Sequence, residues 1–126
     1  MIVGIGIDVV QVSRMRQWVD QQGLLERYFH PRELETALSR GHSMVLSLAA
    51  RFAAKEAFGK ALGIGLRDVR LREIEVRNNS LGKPEMILHG RAREWLHYYG
   101  GQSVLISMTH EVDNAIAVVI IEGERP

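Results

Sequence analysis

The chain has 126 residues, no cysteine and a formal net charge of +1, with 46% hydrophobic and 25% charged residues. That length suits one domain with one modest core. The lack of cysteine excludes disulfides, thiolate catalysis and cysteine-held zinc, and the near-zero charge offers no bulk field for nucleic acid. No basic leader precedes the first apolar run, and no apolar segment reaches bilayer length, so the expectation is a cytoplasmic protein with no membrane partner.

Met1 to Val10 predicts a strand. Val3, Ile5, Ile7 and Val9 point one way, and Gly4, Gly6 and Asp8 the other. Glycines on a strand face mark a close approach, either of a ligand over an open floor or of a tightly packed helix. In the second case Asp8 would be a helix cap. Ser13 is placed to cap a helix to about Gln22, stopped by Gly23. Met15, Trp18 and Val19 form its core stripe, and Arg14 and Arg16 face solvent or an acidic partner. Pro31 suits the first turn of another helix, to about Ser39.

After the break at Gly41-His42, Met44 to Gly63 reads as one long helix with Ser43 as N-cap and Gly63 as stop. Val45, Ala49, Phe52 and Ala53 cluster on one side, flanked by Leu46 and Leu48. Glu56 falls in the middle of that stripe. A lone buried carboxylate costs several kcal/mol unless it is protonated or met by a cation. A salt bridge to Lys60, one turn on, is the plainer reading. A metal or catalytic role is the sharper one.

Beyond Gly65 the period changes. Val69 to Arg77 and Glu85 to His89 predict strands joined by Asn78-Asn79-Ser80-Leu81-Gly82-Lys83-Pro84, which is turn chemistry. Arg91 to Tyr99 predicts a helix ended by Gly100-Gly101. Gln102 to Thr109 and Ala115 to Glu122 predict strands around a loop that starts at His110. Ala115 to Ile121 is apolar throughout, which predicts a central strand covered on both faces. Gly123 to Pro126 reads as a loose tail. The order is β-α-α-α-β-β-α-β-β, an α+β fold with helices on a sheet.

Two carboxylates, Asp8 and Glu56, without a cysteine or histidine cluster suit a hard cation. Mg²⁺ is typically held by one or two carboxylates, with substrate phosphates and water completing the octahedron. Lys60 is then a phosphate partner. Gly4-x-Gly6 lies inside the strand and lacks the third glycine of a dinucleotide fingerprint. There is no Walker loop and no nucleophile elbow, so the attacking group arrives on a substrate.

Gly4-Ile5-Gly6-Ile7-Asp8-Val9-Val10 with Arg14, then Arg51-Phe52-Ala53-Ala54-Lys55-Glu56-Ala57 with Lys60-Ala61-Leu62-Gly63, resembles the holo-acyl-carrier-protein synthase family. These are the short, single-domain 4′-phosphopantetheinyl transferases. Gly82-Lys83-Pro84 and Ser107-Met108-Thr109-His110 stand where that family has similar segments, so the resemblance runs from Met1 to about Ile121. It implies a single domain over residues 1–126, with an antiparallel-rich sheet packed by a long central helix. It implies transfer of 4′-phosphopantetheine from coenzyme A to a serine of an acidic apo-acyl carrier protein, in fatty acid biosynthesis. Adenosine 3′,5′-bisphosphate is released. It further implies Asp8 and Glu56 as catalytic Mg²⁺ ligands, Lys60, Gly63 and His110 toward coenzyme A, docking of the carrier near Arg14, and a homotrimer with sites between subunits. Two positions depart from the pattern. Gln11 stands where the family often has an acid, and His110 where some members have one; His110 reads as a substrate contact or as surface polarity. Two other readings use the same residues: a Mg-dependent phosphohydrolase or nuclease that activates water, and a non-catalytic oligomeric module that needs neither acid.

Overall fold

The computed structural model of the chain describes residues 1–124, with Gln22 described by its backbone alone. β1 (Ile2–Gln11) leads into α1 (Val12–Trp18), followed by α2 (Gln22–Tyr28), α3 (Pro31–Ser39) and the long α4 (Met44–Leu62). Then come β2 (Ile74–Asn78), β3 (Pro84–Leu88), α5 (Gly90–Tyr98), β4 (Gly101–His110) and β5 (Asn114–Gly123). β1, β5 and β4 form an antiparallel sheet in that order, and β2 and β3 form a separate antiparallel hairpin. The α+β class, the antiparallel sheet and the long central helix are as expected.

Among the described residues, four α-helices precede the hairpin rather than three. The expected Ser13–Gln22 helix is split. α1 starts at Val12, whose N–H donates to the Asp113 carbonyl (2.8 Å), so Ser13 sits inside the first turn and caps nothing. Gly23 lies within α2 rather than behind a helix. Packing explains the break. Trp18 on α1 and Tyr28 on α2 meet at 5.3 Å, and both turn toward Phe52 on α4, at 5.1 and 6.2 Å. A straight helix would carry its aromatics past that ring.

α4 is buried almost all round, not along a stripe. Ala49, Phe52, Ala53, Ala54, Lys55, Ala57 and Phe58 are all buried, while Glu56 is only half-buried. One side of α4 lies on β1 and β5. Gly4 and Gly6 permit this, because a Cβ at either would overlap the carbonyl oxygen of Ala61 or Ala57. The glycine face of β1 is therefore a helix seat, and no open floor exists there. Fully buried Phe29, Phe58, Met15, Leu48 and Ile74 complete the core, each contributing roughly 1.5–3 kcal/mol. Ser43 holds the N-cap position of α4 without a side-chain bond, and Gly63 ends the helix at φ 82°.

β2 starts at Ile74 rather than Val69. The carbonyls of Leu71 and Ile74 turn inward to accept from the Lys55 ammonium, so this stretch is not free to enter a ladder. The turn after β2 is as the sequence suggests. Asn79 Oδ1 accepts from the N–H groups of Leu81 and Lys83, and Gly82 takes φ 87°.

β5 is central, but only one of its faces is covered. Ala115, Ala117, Val119 and Ile121 are buried beneath α4; Ile116, Val118 and Ile120 are half-buried on the other side. Beside them lie Ile5 (65% exposed), Ile7 (60%) and Val9 (56%) on β1 and Leu105 (47%) on β4. Gly123 ends β5, and the Glu124 N–H donates to the Gly100 carbonyl. Of the expected tail, Arg125 and Pro126 lie outside the described residues.

Candidate active site

β1 and the last two turns of α4 bring Asp8, Glu56 and Lys60 together. The Lys60 ammonium donates to Asp8 Oδ1 (2.9 Å) and to the Ile7 carbonyl (3.2 Å). The plainer expectation, a Glu56–Lys60 bridge, is replaced by this Asp8 pair, and Asp8 caps no helix. Strand and helix are held so close by Gly4 and Gly6 that Lys60 reaches across before it can fold back along its own helix. The bond and charge of Asp8 raise the Lys60 pKa.

Glu56 stands one turn before Lys60, on the same side of the helix. Its pKa is raised, first by burial and then by the negative charge of Asp8, with Arg14 and Lys60 opposing. The two carboxylates therefore repel, and burial together with that repulsion outweighs the opposing cations. Such a pair of oxygen donors fits Mg²⁺, which neutralises both acids at once. Arg14 is held above this face: its guanidinium carbon lies 5.0 Å from the Trp18 ring centre and 5.2 Å from that of Phe52. It is exposed but stacked, rather than a free helix charge.

Glu56 opens onto a cavity of about 630 Å³ that is also lined by Arg27, Tyr28, Leu66, Val69 and Arg70. Gly63 borders a second one of about 620 Å³, shared with Gly65, Arg67, Asp68 and Trp95. His110 is not in a loop but ends β4. It pairs in register with Ala115 on β5, whereas Asp8 pairs with Ala117 from the opposite side of that strand. Within one chain the acid pair, Lys60 and Gly63 thus share the end of α4, while His110 stands across the central strand.

Sequence reasoning passed over the buried charges Lys55, Glu33, Glu75 and Arg51. Lys55, adjacent to Glu56, is completely buried, and its ammonium donates to Glu33 Oε1 (2.6 Å) and to the carbonyls of Leu71 and Ile74. Burial lowers its pKa, against the pull of Glu33. Glu33 also accepts from the Val76 N–H (3.1 Å) and closes the capping box of α3. The His30-Pro31-Arg32-Glu33 spacing was the signal for that box, obscured because histidine is an unusual cap.

Glu75 is the third. His89 Nε2 lies 2.9 Å from its carboxylate, Arg77 Nε 3.4 Å, and His30 Nε2 and Arg32 Nη1 each 3.8 Å. Burial alone would raise the Glu75 pKa, but the His89 bond and the charges of His30 and Arg77 hold it below its ordinary value. The ligating atoms of His30, Glu75 and His89 lie within 4.8 Å of one another. They still make a poor metal set. His30 Nδ1 accepts the Arg32 N–H (3.1 Å), which puts the proton of the neutral ring on Nε2, and two guanidiniums already face the carboxylate.

With the geometry in place, comparison with known proteins defines the class. Residues 4–119 match the family model described as the 4′-phosphopantetheinyl transferase superfamily. The chain belongs to this superfamily of transferase enzymes, and within it to the holo-[acyl-carrier-protein] synthase family. It is 52% identical to the holo-[acyl-carrier-protein] synthase of Treponema denticola, over 98% of this chain and 100% of that one. The Neisseria meningitidis holo-[acyl-carrier-protein] synthase structure superposes with a TM-score of 0.87 at 39% identity, covering 97% of this chain and 99% of that one. The Bacillus anthracis holo-(acyl-carrier-protein) synthase, solved in complex with coenzyme A (3′,5′-ADP), gives 0.82 at 35% identity, covering 98% and 99%.

Proposed function

We propose that this enzyme transfers 4′-phosphopantetheine from coenzyme A to a serine of apo-acyl carrier protein, in the cytoplasm and for fatty acid biosynthesis. The observation that carries the reading is the Asp8–Glu56–Lys60 cluster, two repelling carboxylates and one exposed ammonium, in a chain of this family. In the step, the serine oxygen bonds to the phosphorus that carries pantetheine, the bond from that phosphorus to the bridging oxygen breaks, and adenosine 3′,5′-bisphosphate leaves. Asp8 and Glu56 would hold Mg²⁺, which supplies charge neutralisation across the pyrophosphate.

The remaining roles fall to the chain's own groups. Lys60, an exposed ammonium one turn beyond Glu56, would hold a phosphate as a point charge. Glu56, or a water oriented by Asp8 or Glu56, takes the serine proton. Arg14, fixed by its stacking on Trp18 and Phe52, meets an acidic carrier beside the acids.

The exposed apolar face of Ile5, Ile7, Val9 and Leu105 supports a homotrimer, since a row of that kind is rarely left in water. His110 would then serve a site completed by a neighbour. The test is to mix the protein with coenzyme A, Mg²⁺ and apo-carrier protein and weigh the carrier. A gain of one phosphopantetheine is expected. An unchanged carrier, with coenzyme A hydrolysed instead, would favour a phosphohydrolase.

A further inference from the structure

Between α4 and the segment that leads into β2, residues 63–70 form a strap without regular structure, and none of them is buried. The strap is nevertheless a wall of the site. Leu66 lines both the cavity that opens from Glu56 and the one beside Gly63, and Val69 and Arg70 line the first. With only half-buried Ile64, Leu66 and Val69 as apolar anchors, its position depends on polar ties. At the near end the Gly65 N–H donates to the Gly59 carbonyl of α4 (3.1 Å), so close that a Cβ at Gly59 would overlap the Gly65 carbonyl. At the far end Glu73 is a bridge. Its Oε1 accepts from the Arg70 N–H and its Oε2 from the Arg91 N–H in the first turn of α5, each at 3.0 Å. In the middle stands Asp68, at φ 59° the sole non-glycine residue with positive φ among the described residues. One of its carboxylate oxygens accepts from both Nε and Nη2 of Arg91. Arg91 Nη1 turns to Glu94 (2.9 Å), and the guanidinium carbon lies 5.9 Å from the Trp95 ring centre. A side chain in the left-handed region persists where its surroundings hold it there, and here the hold is Arg91.

We propose that Asp68 and Arg91 are a clip that fixes this strap as the wall along which the pantetheine arm of coenzyme A lies. Both are then positioning residues for the transfer. The proposal rests on the transferase reading and names how one end of its small substrate is held. The strap continues α4 past Lys60, so an arm leaving phosphates held there has the strap beside it. The arm is uncharged, with methylenes broken by amides. The strap offers the matching mixture, in Ile64, Leu66 and Val69 and in the backbone amides of an irregular turn. The carrier is met elsewhere: Arg14 stacks on Phe52, about 16 Å back along α4 from Gly63. An exposed ion pair does little for the stability of a whole fold, so the effect of this one is local to the strap.

The test uses Arg91→Gln, which opens the clip from α5, and Asp68→Asn, which removes the charge but keeps a residue suited to the left-handed region. Calorimetry with Mg²⁺ present measures affinity for coenzyme A and for adenosine 3′,5′-bisphosphate, which lacks the arm. Initial rates are taken against each substrate. Each variant should weaken coenzyme A binding and raise its KM roughly fivefold, as for one exposed ion pair at the favourable end of its range. The double variant should be no worse than either single one, because both break the same contact. Affinity for the bisphosphate, the carrier KM, kcat and thermal unfolding should stay near the parent's, while amide exchange quickens in the strap alone. Equal losses for coenzyme A and the bisphosphate would put the effect at the nucleotide end and overturn the proposal. So would coenzyme A affinity unchanged in both variants, or a global loss of stability that lowers kcat and raises both KM values together. A parent enzyme that neither binds coenzyme A nor modifies the carrier would instead sink the transferase reading, and the clip with it.

Discussion

Lys55 and Glu56 are consecutive on α4, and each is a charge facing away from bulk water, yet they behave in opposite ways. Lys55 has three partners for its three N–H donors, and one of them is an anion. It is a closed arrangement that ties α4 to α3 and to the start of β2. Glu56 has no such closure. Its strongest electrostatic neighbour is another acid, Asp8, and the nearby cations are either committed to that acid or stacked on aromatics. Burial with full satisfaction is what a structural charge needs. Half-burial beside a like charge is the arrangement in which functional sites are concentrated.

The comparison breaks first at Lys55. Lys55→Ala leaves Glu33 a buried charge and strips the Leu71 and Ile74 carbonyls of a donor, so a loss of about 3–5 kcal/mol is expected in denaturant unfolding. A loss under about 1 kcal/mol would show that the pair is not the anchor described. At Glu56 the pattern should invert. Asp8→Asn and Glu56→Gln should each lower the transfer rate by roughly 10²–10³-fold at saturating Mg²⁺, the scale typical of one preorganised electrostatic group. Stability should hold or rise slightly in Glu56→Gln, which removes the repulsion, and change little in Asp8→Asn, which also loses the exposed Lys60 pair. Near-parental rates in both variants would refute the metal assignment.

Much of this division was legible in the sequence, and the missing part has a definite cause. Asp8, Glu56 and Lys60 could be picked out because acids at a strand edge and on an apolar helix face break local patterning. The hairpin turn, the Gly63 stop and the central place of β5 follow from local chemistry as well. Helical projection could not reveal that α4 is enclosed on nearly all sides. It therefore placed Glu56 at the centre of burial and passed over Lys55, whose burial depends on Glu33, Leu71 and Ile74 far away in the chain. Arg27 and Arg70 were equally hidden, since only the tertiary paths of α2 and of the segment before β2 bring them to the cavity beside Glu56. The α1–α2 break was missed for the same reason: three rings from three helices decide it.

A smaller effect tests how the two acids are brought together. Gly6 sits against Ala57, directly before the end of α4 that carries Lys60, and a Cβ there meets backbone rather than a movable side chain. Gly6→Ala should therefore cost about 1–3 kcal/mol, as overpacking does. Because α4 must move away from β1, the rate should fall along with stability, unlike in Glu56→Gln. Unchanged unfolding would show that the helix seat tolerates a methyl group.

The mildest test concerns Glu75, which stands between the two extremes: fully buried like Glu33, but partnered in part by groups that titrate. His30 is the sensitive one. Its Nδ1 caps α3 by accepting the Arg32 N–H, and protonation there removes the acceptor. Its pKa is lowered from 6.5, first by burial, with His89 and Arg32 adding and Glu75 and Glu33 opposing. A depressed folded value means the unfolded chain binds the proton more tightly. The stabilisation is therefore complete above 6.5 and is lost as pH falls from there through the folded value. The lowered pKa of Glu75 acts in the same direction but only below its own ordinary 4.5, so the two windows separate. Threonine caps a helix without titrating. Thermal unfolding at pH 7.5, 6 and 5 should thus show a steeper fall for the parent than for His30→Thr, with most of the divergence below pH 6.5. Parallel profiles would assign the acid sensitivity to carboxylates alone and leave His30 a cap of fixed strength.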